Sequence, residues 1–326
     1  MMIETRIDAE TVIVGDGEHY TNGSIVFKGN KITYTGESEH APNVKNTHQT
    51  NTVMPGMWDC HTHFMGITTL SLDVIPSTNP VLGGIRTTKD AYEAIKSGFT
   101  SVREVGGHGV LLNQAIQEGI IHGPRIYGAG SILSTTGGHA DIHSFPLEMV
   151  LELAEHNQHL GEMVDGVSGC LRGVRKQLRK GAEIIKFCAS GGVMSFLDDP
   201  MHQQFSLEEQ KTIVEEATRA DRAVAAHCHG ADGIRSALEA GVKTIEHGSY
   251  LNEDLAQLMI EKDAILVPTR LIVEKIITLA KASGIPDYAL AKGMNLSENH
   301  KEAIKIAVKE GVTIAMGTDY GLSGLN

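Results

Sequence analysis

Histidines 61 and 63, in the segment DCHTH, have the spacing at which alternate side chains of a strand face the same way, so both imidazoles can converge on one ion. Farther along come Lys186 in EIIKF, His227 in AAHCHG, His247 in IEHGS and Asp319 in MGTDYG. Four imidazoles and a carboxylate make a nitrogen and oxygen ligand set suited to Zn²⁺ and similar divalent ions. Taken singly, each residue has a plainer explanation. An isolated HxH is more often incidental than a site, and a lone histidine or aspartate at a strand end is usually solvated. Lys186 could lay its stem along apolar surface with its ammonium in water. Their joint placement at the ends of the first, fourth, fifth, sixth and eighth strands of one repeat argues for a metal centre, because independent accidents rarely fill so many.

A repeating series of strands and helices must position these residues. From Val53 onward, short apolar β-branched runs end in Gly, His or Asp and are followed by helical patterns. Strands are predicted to end near Cys60, Val105, Leu133, Phe187, Ala226, Glu246, Val267 and Gly317. Helices are predicted in segments such as TKDAYEAIKSG, CLRGVRKQLRKG, LEEQKTIVEEATRA and HKEAIKIAVKEG, several closing on a glycine (Gly98, Gly181, Gly241, Gly311). Eight strands alternating with helices predict parallel pairing and right-handed crossovers. The length from residue 54 suits the ~250 residues of a closed (β/α)₈ barrel better than an open doubly wound sheet. In such a barrel chemistry sits at the C-terminal strand ends, where the candidate ligands fall. No glycine-rich phosphate motif competes, since Gly106-Gly107-His108-Gly109 fits neither dinucleotide nor P-loop fingerprint.

Residues 1–53 read as a separate β segment, a partial sandwich preceding a barrel over 54–326. Asn22-Gly23 is predicted as a two-residue hairpin turn, and Ile25, Phe27, Ile32 and Tyr34 alternate around Gly29-Asn30. The polar stretch from Glu37 to Thr52 reads as a connection into the barrel.

Composition narrows the function classes. With 326 residues, 41% of them hydrophobic, the chain can bury a large core and is not a disordered protein. No apolar run reaches the ~18 residues of a membrane span, and the acidic start MMIETRIDAE has no signal-peptide core. A net charge of −12 argues against nucleic acid or an anionic membrane as partner. Four cysteines do not make a disulfide framework, which leaves the cytoplasm as the expected compartment.

The segments PGMWDCHTH, EIIKFCASGG, AAHCHG, IEHGS and MGTDYG resemble the motifs of the amidohydrolase superfamily, over about residues 10–326. More narrowly, they are similar to its imidazolonepropionase-like branch, which contains prolidase-type Xaa-Pro dipeptidases and arginine carboxypeptidases. The resemblance implies a binuclear centre, zinc by preference. His61, His63 and Asp319 would hold the more buried ion, His227 and His247 the other, and Lys186, carboxylated by CO₂, would bridge them. It implies hydrolysis of an amide in a dipeptide or N-acyl amino acid, Xaa-Pro first, by a hydroxide bridging the metals, with Asp319 moving the proton. The alternatives are a cyclic-amide hydrolase of the imidazolonepropionase type, against which Lys186 argues, and a non-catalytic scaffold or inert fragment.

Substrate contacts are assigned to three residues. His139 in TTGGHAD stands where the family has a histidine near the scissile carbonyl or substrate carboxylate. His229 lies two residues beyond His227, where relatives place a substrate-contacting side chain. Arg270 is a candidate carboxylate clamp, since guanidinium binds carboxylate bidentately. Arg103-Glu104 resembles a family Arg-Asp pair and is expected to be an ion pair structuring the barrel mouth. Cys60 and Cys228 point away from the histidines by alternation and read as packed core. His156 and His159 are explained by an exposed helix face. The chain stops at Asn326, seven residues after Asp319, where the family adds an eighth helix and sandwich strands. It is therefore expected to be a C-terminally truncated version, with an exposed apolar barrel face that favours association with further copies.

Overall fold

The computed structural model describes residues 3–69, 71–156, 160–279 and 285–321. His159 lies outside the described residues. The chain divides into two compact units, Met1–Met57 and Trp58–Asn326.

The first unit is a four-stranded sheet in the order β3-β2-β1-β4, built from β1 (Glu4–Ile13), β2 (His19–Lys28), β3 (Lys31–Glu37) and β4 (Asn46–Val53). β2 runs antiparallel to both β1 and β3, and β4 pairs parallel with β1. Two expectations are corrected here. Asn22-Gly23 is not a turn but lies inside β2, with Asn22 at φ 53° and Gly23 paired with Ala9. A Cβ on Gly23 would meet Val12 Cγ2 at 2.8 Å, so the glycine serves close packing rather than chain reversal. The hairpin forms instead at Gly29-Asn30, between β2 and β3. The second correction concerns residues 46–53, read as connection, which form a strand. Its sequence NTHQTNTV lacks the apolar alternation that marks a half-buried strand, and its residues are mostly exposed.

The second unit carries the barrel. Its elements are β5 (Met57–Thr62), α1 (Pro80–Lys96), β6 (Phe99–Glu104), α2 (Gly109–Gln117), β7 (Arg125–Gly128), β8 (Ile132–Ser134), α3 (Leu147–Glu155), β9 (Gly161–Met163), α4 (Gly166–Lys180), β10 (Ile184–Cys188), α5 (Leu207–Arg219), β11 (Ala223–Cys228), α6 (Ala231–Ala240), β12 (Thr244–His247), α7 (Glu253–Glu261), β13 (Ile265–Val267), α8 (Arg270–Leu279) and α9 (Asp287–Glu310). One sheet orders β5-β6-β7 and the other β13-β12-β11-β10-β8-β9, with parallel pairing from β8 through β13. Glu183 N–H donating to Gly128 O joins the two sheets. The ring closes through residues 313–320, where Leu266 pairs with Ile314 and Thr62 with Tyr320. Cys60 N–H donates to Met316 O and Asp319 N–H to His61 O, which sets the first and last strand ends side by side.

Local sequence explains why the helices start and stop here. Ser206 and Glu209 form a reciprocal capping box at the start of α5. Gly181, Gly241 and Gly311 close α4, α6 and α9 in the left-handed conformation. Ile185, Phe187, Ile213, Ile234, Leu238, Ile245 and Leu266 share one buried cluster in which the barrel strands pack against their helices. Lys186, between Ile185 and Phe187, is thereby left to the barrel interior. Among the described residues no helix is long and apolar enough to cross a membrane.

Candidate metal centre

Five strand ends and the loop after β8 deliver titratable side chains to one cavity. Its walls include His61, His63, His139, Lys186, His227, His229, His247 and Asp319. The ring centroids of His61 and His247 are 5.0 Å apart, those of His227 and His247 4.5 Å, and those of His229 and His247 4.8 Å. Asp319 Oδ1 stands 3.6 Å from His61 Nε2 and 3.4 Å from His63 Nε2. Two groups bring their donor atoms within 4.8 Å of one another: His61 with His247 and Asp319, and His227 with His229 and His247. His247 belongs to both and joins the two sides.

Hydrogen bonds decide which nitrogen each ring presents. A carboxylate or carbonyl can only accept, so a ring nitrogen facing one must carry the proton. His61 Nδ1 donates to Glu246 Oε2 at 2.7 Å, and His63 Nδ1 to Gly106 O at 2.8 Å, leaving both Nε2 lone pairs toward Asp319. His227 is the reverse: its Nε2 donates to Gly191 O at 3.2 Å, which leaves Nδ1 free. His229 and His247 meet hydroxyls, Nδ1 lying 2.7 Å from Ser249 Oγ and 2.6 Å from Thr269 Oγ1 respectively.

Burial keeps the histidines of the cluster uncharged at neutral pH. Desolvation holds His61, His227, His229 and His247 well below the usual imidazole range and lowers His63 to about 3, with nearby Lys186 adding to the shift. Burial also lowers Lys186, which is 2% exposed, and raises Asp319 to about 7. Neutral imidazoles are what a cation needs as ligands. Asp319 Oδ1 is buried without a hydrogen-bond partner, an orphan acceptor that a metal would satisfy. The donor set therefore fits divalent cations.

Backbone strain supports the arrangement. His247, Thr269 and Asp319 all adopt positive φ (69°, 49° and 63°), a conformation uncommon for residues other than glycine. At His247 it breaks strand alternation, so that Glu246 and His247 both reach the His61 ring. Asp59 accepts from the Thr318 N–H at 3.0 Å and from the Thr318 hydroxyl, tying β5 to the loop that carries Asp319.

The substrate candidates fare differently. His139 lines the cavity with its ring stacked 4.2 Å from that of His227 and its Nδ1 2.7 Å from Ser195 Oγ. A Cβ on Gly192 would fall 2.1 Å from His139 Cε1, so only glycine allows this approach. His229 lies in the cavity among the candidate ligands. Arg270 is not brought there. Its guanidinium donates to Ser297 O and Oγ on α9 at 3.0 and 3.1 Å and to Glu274 at 3.2 Å.

Arg103 and Glu104 do not pair with each other. As neighbours on β6 they face opposite ways. Arg103 binds Glu246 at 2.6 Å, Thr244 Oγ1 at 2.8 Å and Cys60 O at 2.6 Å, whereas Glu104 is buried against the backbone of Phe64, Gly106 and Gly109. Burial raises the Glu104 carboxyl to about 8. Cys170 and Cys228 are buried and Cys60 partly so. Cys188 shares the face of Lys186 and lines the cavity, its thiol pushed up to about 12 by burial.

Sequence reasoning missed Glu246, Asp59, Ser249 and Thr269. A charged residue inside the otherwise apolar strand TIEH was the available sign for Glu246. It also missed the cavity's apolar wall of Leu72, Ile132, Leu160, Val193, Met194, Ile272, Val273 and Ile276.

Comparison with known proteins adds the family context. The sequence model of the amidohydrolase family matches residues 52–326. The chain is 40% identical over 335 residues to an ochratoxinase of Aspergillus niger, covering 98% of this chain and 70% of that protein. The crystal structure of A. niger ochratoxinase superimposes with a TM-score of 0.91 at 39% identity, over 99% of this chain and 78% of that one. A prolidase complexed with N-methylphosphonate-L-proline gives 0.90 at 32% identity, over 97% and 78%. A Xaa-Pro dipeptidase with methionine bound in its active site gives 0.86 at 32% identity, over 98% and 80%.

Proposed function

The chain belongs to the amidohydrolase family, and from that premise we propose that it is a binuclear zinc hydrolase. The bond cleaved is the amide of a dipeptide or N-acyl amino acid, Xaa-Pro substrates first. The observation that carries this reading is the convergence of His61, His63, His227, His247, Lys186 and Asp319 on one buried cavity. His61, His63 and Asp319 would hold one ion and His227 and His247 the other. His229 is a substrate contact in this reading, though its nitrogen lies as close to the ligand group as theirs.

Lys186 would bridge the ions as a carbamate. That modification needs the neutral amine, which adds to CO₂ and releases a proton, and burial lowers the lysine's pKa in the required direction. When bound, the divalent ions would polarise the scissile carbonyl and make water nucleophilic near neutral pH. Asp319 takes a proton from the attacking water and delivers it to the leaving nitrogen, the general acid–base role of a positioned carboxylate. His139, braced by Ser195, orients the carbonyl or carboxylate of the substrate at the cavity rim. The apolar wall receives the substrate's side chain and excludes water.

That wall favours an apolar residue over arginine or lysine in the substrate. Val193, Ile272, Val273 and Ile276 offer no charge to pair with a cationic side chain. A panel of Xaa-Pro, Xaa-Met, Xaa-Arg and Xaa-Lys dipeptides with matched N-acyl amino acids tests the reading on zinc-loaded protein. Turnover of apolar members that disappears on chelation and returns with zinc is expected. No hydrolysis of any amide by the loaded protein would sink it.

A further inference from the structure

Each candidate metal-binding histidine is held through its second nitrogen, and among the described residues His61 alone of these has a carboxylate as its hydrogen-bond partner. Glu246 is fully buried and accepts from His61 Nδ1 at 2.7 Å. Its other oxygen accepts from Arg103 Nη2 at 2.6 Å and from the Thr244 hydroxyl. Arg103 is itself fixed by Cys60 O and Thr244 Oγ1, so the guanidinium, carboxylate and imidazole form a rigid row beneath the cavity. His63 and His227 have backbone carbonyl partners, and His229 and His247 have hydroxyls. A carboxylate strengthens a donating imidazole more than a neutral acceptor does, because it stabilises the charge the ring gains on binding a cation. A hydroxyl, which can donate or accept, does not by itself fix a tautomer.

We propose that the Arg103–Glu246 pair is a positioning device that fixes His61 as its Nδ1–H tautomer and makes the His61 side the tighter of the two metal positions. The proposal rests on the metal-dependent reading above. It gives a buried ion pair that does not line the cavity a definite task. Burying a carboxylate and a guanidinium carries a desolvation cost that apolar side chains of the same volume would avoid. Here the pair orients a ligand in return. It also makes the two metal positions unequal, although imidazoles serve both.

Two measurements test it. Nitrogen-15 spectra of histidine-labelled, metal-free protein, assigned with His61→Asn, should show the His61 ring protonated at Nδ1 and bare at Nε2. A ring protonated at Nε2, or a mixture of tautomers, would overturn the proposal without any variant of the pair. The second is zinc titration against a chelator in wild type and Glu246→Leu. The tighter binding step should weaken roughly 10- to 100-fold in the variant, the range seen when a ligand's outer partner is lost. The weaker step should change by less than about threefold, a selectivity that a general loss of packing would not produce. An unchanged tight step, or equal weakening of both, would contradict the proposal. If wild type takes up no zinc, the metal-dependent reading fails instead, and the two failures are distinguishable. Should Glu246→Leu not fold, the tautomer measurement decides.

Discussion

On one side of the cavity His61 and His63 are anchored by groups that can play only one part, and on the other His229 and His247 are anchored by hydroxyls. Glu246 and the Gly106 carbonyl can only accept, so the lone pairs of His61 and His63 are aimed before any ion arrives. Ser249 and Thr269 can rotate and either give or take a proton, leaving the rings opposite them adjustable. The same side chain thus serves as a preaimed ligand at His61, His63 and His227 and as an adjustable contact at His229 and His247. Burial alone does not separate the two, because His61, His229 and His247 are all nearly inaccessible. The identity of the partner behind each ring does.

The largest expected effect is at Asp319. Asp319→Asn keeps the shape but removes the proton carrier, and kcat should fall about 10²- to 10⁴-fold with the circular dichroism spectrum unchanged. A rate near wild type would show that Asp319 is not the proton carrier.

Next come the two histidines that share the adjustable side. His247→Ala removes a donor common to both groups and should lower the zinc bound per chain. His229→Ala, in the proposed substrate role, should leave zinc content intact while raising KM roughly tenfold, about 1.4 kcal/mol of lost binding. Loss of zinc in His229→Ala would make that residue a ligand and redraw the comparison.

The remaining effect is that of pH. Asp319 is raised to about 7 from its usual 3.8, so the metal-free native protein holds a proton that the unfolded chain has already released across that window. Native stability is therefore favoured at the low end of the window and declines as pH rises toward 7. Glu104, raised to about 8, extends the decline in the same direction. Zinc must displace the Asp319 proton, so apparent affinity should drop about tenfold for each pH unit below 7. Calorimetry in buffers of different ionisation enthalpy would detect the released proton, and an affinity flat between pH 5 and 7 would exclude it.

Much of this was legible in the sequence because barrel geometry converts position along a strand into position in space. The pairing of His61 with His63 follows from alternation, and the strand-end histidines and Asp319 follow from the repeat. What stayed hidden depends on long-range partners or on broken alternation. Arg103 finds Glu246, 143 residues away, rather than its neighbour Glu104. His247 turns inward beside Glu246 only because its φ is positive. Arg270 carries the right chemistry for a carboxylate clamp, yet α9 supplies Ser297 to take its donors. Asn22-Gly23 has the composition of a turn but sits opposite Val12, where the missing side chain matters more than the backbone freedom.

The central claim is that the cavity of neutral imidazoles around Lys186 and Asp319 is a metal centre. Zinc per folded chain, measured after expression with zinc and bicarbonate and removal of loosely bound ions, tests it most directly. About two ions per monomer, with uptake of the second depending on bicarbonate, is the predicted result. A soluble, folded protein with no stoichiometric metal would contradict it.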